Sequence, residues 1–480
     1  MPVIPDNHFL TDYSQTLQKL IFSAPQNQDY EGEIISISQE INPIDLLVFL
    51  AMMKPPQQVS FYCENQRKEE AVVGLGALVK LEVNQDKFNA NNNTLNRFQI
   101  CQDFINKYQH KIDFQDNLEG EKIPYFFSTF NFVAHGDNSC QSFPQAQIFI
   151  PYIQLFKRHN QYIITVNTFY LSDAPELDLI KHYLSHNFSK NLTQFYQDKN
   201  NDNNPSSLPV INSNNYQSFL DKVNRGLQAI HRGKLLKIVI AHALEIELQR
   251  PCNIIKSLEN LRKNHPDCYI FAVGNNEEEY FIGASPERLL SIQDRQLVTD
   301  ALAGSAPRGK NEYNDSYLGE NLLNSEKEKR EHEIVSQFLF EQLLKLGLTP
   351  KKASLQLLKL SNIQHLWTPI YAEIIETINP LEIIAKLHPT PAVAGIPIDV
   401  ACAEISAYEN FDRSLYAAPI GWLDTKGNCE FIVGIRSALI RGNKARLYAG
   451  AGIVAGSKPE QELSEIELKF QVLLRALENN

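Results

Sequence analysis

Short strand-like runs joined by tight turns constrain the fold of this chain more strongly than any other feature. In its second half, such runs fall at 235–248, 268–274, 280–284, 287–293, 427–440 and 444–454. The turn segments DTKGN and RGNK favour antiparallel hairpins. Apolar residues at helical spacing predict helices over 253–264, 326–346, 380–387 and 458–477. Because strands and helices do not alternate regularly, we predict an α+β fold, with helices outside mixed antiparallel strands.

The composition limits the class of protein. The chain has 480 residues, of which 43% are hydrophobic and 21% are charged, as in ordinary globular proteins. Its net charge of −11 argues against nucleic acid and anionic membranes as partners. No apolar run has the length of a membrane span, and the N-terminus lacks the features of a signal or transit peptide. We therefore expect a cytoplasmic protein whose seven scattered cysteines are reduced thiols and bind no zinc.

Two Asn-rich stretches, 84–96 and 198–215, are low in hydrophobic residues. The second is the better candidate for a linker, and it divides residues 1–198 from residues 216–480. The first part has strand-like runs of its own, at 59–64, 71–82, 125–134 and 148–170. Gly74 and Gly76, in the second of these runs, indicate a bulge or tight packing and not a phosphate loop.

Two pairs of glutamates share an i,i+3 spacing, which places both members on one face of a helix. They are Glu328 with Glu331, and Glu462 with Glu465. Most acidic helix starts are solvated faces, but two such helices could together hold one divalent cation such as Mg²⁺. Glu331 lies near the apolar stripe of its own helix, so its carboxylate needs a partner if it is buried.

Both acidic segments also have the pattern of a helix start. Ser325 with Glu328, and Ser457 with Glu460, each match a capping box ahead of an apolar run. We therefore expect one helix to begin after each serine.

Two cations lie inside apolar runs. Lys237 stands in LLKIVIA and Arg436 in FIVGIRSALI. A lysine there either extends its ammonium group to water or is held for a purpose, since burial makes a lysine a better general base. A guanidinium there suits bidentate capture of a carboxylate, from a neighbouring glutamate or from a substrate, and Tyr416 could add a hydroxyl donor.

Three further features could contribute to a site. Glu287 follows a Gly-Ser-Pro turn between two predicted strands, where an acid is usually only solvated. His365 has apolar neighbours, and a single histidine there is more often a hydrogen-bonded core residue than a catalyst. The segment YAGAGIVAGS, at 448–457, leads into the second acidic helix. Its small residues either let backbone N–H groups approach an anion or only permit tight packing.

Taken in order, these segments resemble the chorismate-utilising enzymes, which include anthranilate, aminodeoxychorismate, isochorismate and salicylate synthases. The resemblance covers residues 216–478. It rests on GKLLKIVIA, FIGASPERLL, ALAGSAPRG, SEKEKREHEIV, NIQHLWT, LHPTPAVAG, FDRSLYAAPIGW, EFIVGIRSALI and YAGAGIVAGSKPEQELSEIELK.

The resemblance implies a fold of two packed antiparallel sheets with helices outside and the active site in a central cleft. It also implies that residues 1–198 add strands to the same domain. Lys237 would be the general base that activates water, and Glu287 the general acid at the leaving hydroxyl. Glu331 and Glu465 would bind Mg²⁺ directly, with Glu328 and Glu462 behind water. The residues implied to bind chorismate are Gly304, His365, Tyr416, Arg436, Gly450, Ala451, Gly452 and Lys469.

Three details favour isochorismate synthase within this family. Relatives that use ammonia typically carry Gln where this chain has Lys237, although aminodeoxychorismate synthases often share the lysine. Water is therefore the expected nucleophile, and no glutamine amidotransferase partner is expected. Ala303 stands where aminodeoxychorismate synthases carry a nucleophilic lysine. The segment FYCEN resembles the opening of isochorismate synthases of the menaquinone and phylloquinone pathways, although Cys63 replaces the usual Trp.

Several alternatives stay open at this point. A salicylate synthase would form isochorismate and then eliminate pyruvate, and a siderophore-pathway isochorismate synthase is also compatible with these residues. A non-catalytic relative that only binds chorismate is the remote alternative. Four positions depart from the family, and we expect Ala394 alone to narrow the pocket. They are His242 for Arg, Ala394 for Gly, Ser414 for Gly and Leu463 for Trp.

Overall fold

A computed structural model describes most of the chain. The described residues are 32–54, 57–84, 87–88, 94–114, 125–133, 142–169, 210–211, 216–375 and 377–478. Most of the Asn-rich stretch 198–215 lies outside them. Within the described residues, no helix is both long and apolar enough to cross a membrane.

Two large sheets carry the fold, and almost all their neighbouring strands are antiparallel. The larger sheet has thirteen strands. In spatial order they are β12 (Val210–Ile211), β13 (Lys237–Glu247), β25 (Lys444–Val454), β24 (Ser437–Arg441), β15 (Tyr280–Ser285), β14 (Tyr269–Gly274), β2 (Ser60–Asn65), β3 (Glu70–Leu75), β10 (Ile153–Arg158), β11 (Gln161–Phe169), β1 (Ile34–Glu40) and β7 (Ile112–Phe114), with β21 (Gly395–Ile396) also paired to β13.

The smaller sheet has ten strands. In order they are β18 (Lys351–Lys352), β20 (Ile363–Glu373), β17 (Gln296–Pro307), β16 (Arg288–Gln293), β23 (Cys429–Val433), β22 (Pro419–Leu423), β8 (Phe126–Phe130), β9 (Ala146–Ile150) and β4 (Val79–Val83), with β19 (Gln356–Lys359) also paired to β20. β5 (Lys87–Phe88) pairs antiparallel with β6 (Thr94–Leu95).

Nine described helices accompany the sheets. They are α1 (Leu46–Met53), α2 (Arg97–Tyr108), α3 (Tyr216–His231), α4 (Ile254–Asn264), α5 (Glu312–Asn324), α6 (Glu326–Lys345), α7 (Pro380–Leu387), α8 (Ile398–Tyr408) and α9 (Pro459–Leu477). The predicted α+β fold of two sheets with helices is confirmed.

Strands from both halves of the sequence lie within each sheet. In the larger sheet, β2 and β3 lie between β14 and β10, and in the smaller sheet β8 pairs with β22. The predicted run 71–82 is two strands, β3 and β4, which belong to different sheets. Gly76 adopts a φ of 63° where the chain turns, and a Cβ on Gly74 would lie 2.8 Å from the Phe127 ring. These two glycines therefore serve a turn and a close contact.

The chain also crosses between the sheets at two points that matter for the site. β15 lies in the larger sheet and β16 in the smaller one, while β23 lies in the smaller sheet and β24 in the larger one. The single strand predicted over 427–440 is therefore wrong. It breaks at 434–436 because the chain leaves one sheet there and enters the other, and Arg436 takes a left-handed φ of 49°.

Local capping explains where two of the predicted helices begin. Asn253 caps α4 by accepting a hydrogen bond from the backbone N–H of Lys256, and Ser325 caps α6 in the same way from Glu328. The predicted cap at Ser457 is wrong. α9 begins at Pro459, whose ring fixes a helical φ, and the Ser457 hydroxyl instead accepts a hydrogen bond from the Val454 N–H.

Candidate active site

A cleft of about 700 Å³, with the open space at its mouth included, lies where both sheets meet α6 and α9. Ten residues that the sequence singled out line it. They are Glu287, Gly304, Glu331, His365, Tyr416, Arg436, Gly450, Gly452, Glu465 and Lys469. The structure thus brings together residues that lie up to 182 positions apart (469 − 287).

Lys237, at the start of β13, is completely buried, so its side chain does not extend to water. Its Nζ lies 2.9 Å from Glu331 Oε1, an ion pair whose angles do not satisfy a hydrogen bond. Glu331 therefore has the partner that its burial demands. Gly452 makes room for this pair, because a Cβ there would lie 2.1 Å from Glu331 Oε1.

The other three glutamates of the two i,i+3 pairs each form an ion pair with a lysine. Lys327 Nζ lies 2.9 Å from Glu462 Oε1 and 3.3 Å from Glu328 Oε1, and so bridges the two helices. Lys469 Nζ lies 2.7 Å from Glu465 Oε1, one helical turn earlier, and donates to the Gly450 carbonyl at 2.6 Å.

The acidic side chains influence one another's ionisation. Burial raises the pKa of Glu328, and the negative charge of Glu331 raises it further. Burial also raises the pKa of Glu462, with Glu465 adding to it. Burial acts the same way on Glu465, but Lys469 and the other nearby ammonium groups outweigh it, so the pKa of Glu465 is lowered. The four glutamates therefore form one electrostatic cluster.

Glu287 lies on the crossover from β15 to β16 and is only 3% exposed. Burial raises its pKa from 4.5 to about 8, and the charge of Asp300 adds to this, although Lys237, Lys469 and Arg436 act in the opposite direction. Glu287 is therefore protonated at neutral pH and can donate a proton, unlike a solvated turn acid.

Arg436 lies on the neighbouring crossover, not inside a strand as predicted, and is 4% exposed. Its Nη2 lies 2.6 Å from His365 Nε2. Its Nη1 is buried and has no hydrogen-bond partner among the described residues. A buried guanidinium with a free N–H group on a cleft is suited to bind an anion such as a carboxylate.

Tyr416 and Gly450 make a close contact on the same side of the cleft. A Cβ on Gly450 would lie 2.8 Å from the Tyr416 hydroxyl, so glycine is needed there. Burial raises the pKa of Tyr416, which keeps the hydroxyl protonated as a donor. The neighbouring Ala451 lies outside the cleft because side chains alternate along β25, and Glu328, Glu462 and Lys237 stand behind its lining.

Sequence reasoning assigned no individual binding or catalytic role to the other lining residues. They are Val239, Pro286, Leu302, Ala303, Ser305, Ala392, Val393, Ala417, Ile435, Tyr448 and Ala449. Tyr448 stacks on Tyr416 with 5.1 Å between ring centroids, and it opens the small-residue segment that the sequence had singled out. The expectation that Ala394 narrows the pocket is wrong, because Ala392 and Val393 line the cleft and Ala394 does not.

The donor atoms of the cluster suit a divalent cation of the Mg²⁺ type. No group of three or more His, Cys, Asp or Glu side chains is arranged to hold a metal among the residues that the structure describes. Mg²⁺, however, often takes only one or two carboxylates, with water and an anionic ligand completing its shell. Lys327 already places a positive charge between Glu328 and Glu462 of the two helices, where the carboxylates attract a cation. The residues therefore fit such an ion.

Comparisons with known proteins agree with this geometry. The family model described as "Chorismate binding enzyme" matches residues 15–478. Isochorismate synthase MenF of Bacillus subtilis (strain 168) is 29% identical over 449 residues, which cover 92% of this chain and 93% of that protein. Isochorismate synthase DhbC of the same organism is 38% identical over 271 residues, which cover 54% and 68% of the two chains.

A solved structure gives the same picture. The menaquinone-specific isochorismate synthase MenF of Escherichia coli superimposes with a TM-score of 0.74 at 25% identity, covering 98% of this chain and 99% of that chain. These relatives are isochorismate synthases, which are isomerases. The chain therefore belongs to the chorismate binding enzyme family and is an isochorismate synthase-like enzyme within it.

Proposed function

We propose that this enzyme converts chorismate into isochorismate in a Mg²⁺-dependent reaction that feeds menaquinone or phylloquinone biosynthesis. One observation carries the proposal. Buried Glu287, whose raised pKa keeps its proton at neutral pH, lines the same cleft as Arg436, with its free N–H group, and Glu331, the ion-pair partner of Lys237. The cleft thus offers a proton donor, a potential proton acceptor and a carboxylate site around one substrate.

The reaction needs a base at C2, where water attacks, and an acid at C4, where the hydroxyl leaves. Lys237, whose ammonium group pairs with Glu331, must be in its neutral amine form to take a proton from water as the water oxygen bonds to C2 of chorismate. The ring double bonds shift, and the C4–O bond breaks. Glu287 gives its proton to the departing hydroxyl, which leaves as water, because hydroxide itself is a poor leaving group. Two groups with opposite protonation needs require environments that separate their proton affinities, and burial does this for Glu287.

The remaining residues bind and orient the substrate. In this proposal, Arg436, Tyr416 and the backbone at Gly450 hold the enolpyruvyl carboxylate, and Gly304, His365 and Lys469 help to position the ring. Glu331 and Glu465 hold Mg²⁺ directly, with Glu328 and Glu462 behind water. When bound, Mg²⁺ would neutralise the ring carboxylate and fix its position.

The pathway assignment rests on how far the relatives match. Bacillus subtilis MenF aligns with nearly the whole chain, whereas DhbC, although more identical, aligns with only 54% of it. At the level of sequence, the N-terminal part is therefore shared with MenF of Bacillus subtilis, which supports a role in a quinone pathway. Deleting the gene in its host should remove the menaquinone or phylloquinone pool, and added isochorismate should restore it. An unchanged quinone pool would contradict this assignment.

Product analysis tests the reaction itself. The purified protein is incubated with chorismate and Mg²⁺ in H₂¹⁸O. The products are then separated, and their masses are measured by mass spectrometry. Isochorismate with one ¹⁸O at its C2 hydroxyl is expected, because water is the nucleophile. Salicylate with pyruvate would instead identify the salicylate synthase alternative, and no consumption of chorismate would identify a non-catalytic binder.

An amidotransferase partner would supply ammonia, so its expected absence is tested by asking whether the enzyme can use ammonia in place of water. Ammonium salts added to the assay should give no amino-substituted product, because Lys237 stands at the position where ammonia-using relatives typically carry Gln. An amino-substituted product would refute the water assignment.

A further inference from the structure

The Arg436 guanidinium has one end fixed and the other end free. Nη2 lies 2.6 Å from His365 Nε2, whereas Nη1 is buried without a partner among the described residues. Both residues line the cleft. Cys268 also forms a side-chain hydrogen bond with Arg436, and the contact at Nη2 helps to set the direction of the remaining N–H group at Nη1.

The contact between Arg436 and His365 determines the tautomer of the histidine. A guanidinium only donates hydrogen bonds, so His365 Nε2 must be the acceptor, and the ring proton lies on Nδ1. Nδ1 in turn has two acceptors, Ser305 Oγ at 3.0 Å and the Gly304 carbonyl at 3.3 Å. Burial lowers the pKa of His365 far below its usual range, and Arg436 and Lys469 lower it further, so the ring is neutral.

A β-bulge brings the serine to this position. The pairing of β17 with β20 shifts between Ala303 and Ser305, which makes Ser305 the partner of His365 across the ladder. Gly304, within the bulge, takes a left-handed φ of 78°. Both acceptors of Nδ1–H therefore come from one irregular point of one strand.

We propose that Ser305 and His365 are positioning residues that orient Arg436 toward the carboxylate of the substrate. The order of donation is Arg436 to His365 and His365 to Ser305 or Gly304. His365 is neither an acid nor a base in this arrangement, because its only acceptor nitrogen is occupied by Arg436. The inference rests on the proposed function, since the carboxylate is that of chorismate.

Side-chain variants at position 365 separate this role from others. His365→Gln can place an amide oxygen near Nε2 and keep an acceptor for Arg436, whereas His365→Asn reaches only the Nδ1 position, and His365→Leu removes both. KM for chorismate should rise roughly 10- to 100-fold in the Leu and Asn variants, as expected when a hydrogen bond to a charged group is lost. The Gln variant should recover most of this loss, and kcat should change little in all three.

Ser305→Ala should raise KM by a few-fold only, because the Gly304 carbonyl still accepts from Nδ1. Ser291→Ala is the matched control, since Ser291 is a buried serine on the neighbouring strand β16, outside the cleft lining, and its KM should match that of the unchanged protein.

Two measurements distinguish this positioning role from a purely structural one. The pH profile of kcat should keep its shape in His365→Gln. In ¹⁵N NMR spectra, the ring signal that disappears in this variant should be that of a neutral Nδ1–H tautomer. A loss of kcat with unchanged KM, a changed pH profile, or an imidazolium signal would overturn the proposal. Failure of the proposed function would look different, because the unchanged protein would then form no isochorismate at all.

Discussion

Replacing Glu287 with glutamine should stabilise the protein while it removes activity. The structure places this carboxyl group at 3% exposure, and burial raises its pKa from 4.5 to about 8. In the unfolded chain the group ionises near 4.5, but in the folded protein it keeps its proton until about pH 8. Because the folded pKa is the higher one, its contribution to stability is fully present below pH 4.5 and is lost as the pH rises toward 8.

The magnitude follows from these two values. Each unit of difference in pKa corresponds to about 1.4 kcal/mol. Because protonation is linked to unfolding, Glu287 lowers the free energy of unfolding by about 1 kcal/mol at pH 5 and by about 4 kcal/mol at pH 8, relative to a pH below both values. Glutamine has nearly the same shape and does not titrate. The free energy of unfolding of the Glu287→Gln protein, relative to that of the unchanged protein, should therefore be about 3 kcal/mol higher at pH 8 than at pH 5.

Urea unfolding at pH 5 and pH 8, with EDTA present, measures the effect. Tryptophan fluorescence and circular dichroism should give coincident transitions if unfolding is two-state. Glu430→Gln is the control, because Glu430 is a buried carboxylate that accepts a hydrogen bond from Lys68 at 2.6 Å. Burial raises its pKa, but Lys68 and Arg288 outweigh this and lower it. A carboxylate with a lowered pKa stabilises the folded protein above its unfolded pKa, and this stabilisation is lost only at lower, acidic pH. The Glu430→Gln variant should therefore be destabilised about equally at pH 5 and pH 8.

A stability difference between the Glu287→Gln and unchanged proteins that does not depend on pH would refute the reasoning. It would mean that Glu287 is ionised in the folded protein, and then it could not serve as the general acid. The same protonation predicts that turnover by the unchanged protein falls as the pH rises through about 8, since the acid loses its proton there.

Four further changes test separate parts of the structure. Gly452→Ala should lower kcat/KM about 100-fold, because its Cβ would displace Glu331, and a displacement of about 1 Å at a site can cost that much. Glu331→Gln should raise the Mg²⁺ concentration needed to increase the melting temperature roughly tenfold or more, a thermal-shift measurement that needs no turnover. Ser414→Gly should stabilise the protein to urea by about 1 kcal/mol, because Ser414 has a left-handed φ of 47° that glycine adopts without strain. We also propose that residues 1–198 and 216–480 form one folding unit, so a chain starting at 216 should lack a cooperative unfolding transition, since β14 would lose its neighbour β2.

The sequence predicted those parts of the fold that local chemistry determines. α4 and α7 each begin after an asparagine whose side chain accepts a backbone N–H, and α7 has the predicted bounds. Strand runs bounded by turn residues, such as Lys444–Val454, were equally clear. Where Pro459 follows Ser457, however, two start signals compete, and the fixed φ of proline decided the first helical residue.

The site was harder to predict because its geometry depends on contacts between distant segments. The run that contains Arg436 is mostly apolar on both sides of this residue, so its pattern does not show that the chain changes sheets there. The choice between an extended and a held Lys237 needed the position of Glu331, 94 residues away (331 − 237). Ser305 has no mark in the sequence, because its place opposite His365 results from a shift in strand register.

The two crossovers explain how Glu287 and Arg436, the proposed general acid and carboxylate-binding group, can be buried and still line the cleft. Chain that passes between sheets cannot use a ladder for its backbone hydrogen bonds, and here the two crossovers satisfy each other. Ser285 Oγ donates to the Val433 carbonyl at 2.6 Å, the Val433 N–H donates to the Glu287 carbonyl at 3.1 Å, and the Ala284 N–H donates to the Arg436 carbonyl at 3.1 Å.

This mutual support fixes both side chains at the point where the sheets separate and the cleft opens. Burial there has opposite consequences for the two groups. It keeps the proton on Glu287, which needs no counter-charge, and it leaves the permanent charge of Arg436 with a free N–H group, which does. A substrate that carries a carboxylate supplies that missing partner, so its binding offsets the cost of burying the guanidinium and brings its reacting carbon beside the protonated acid.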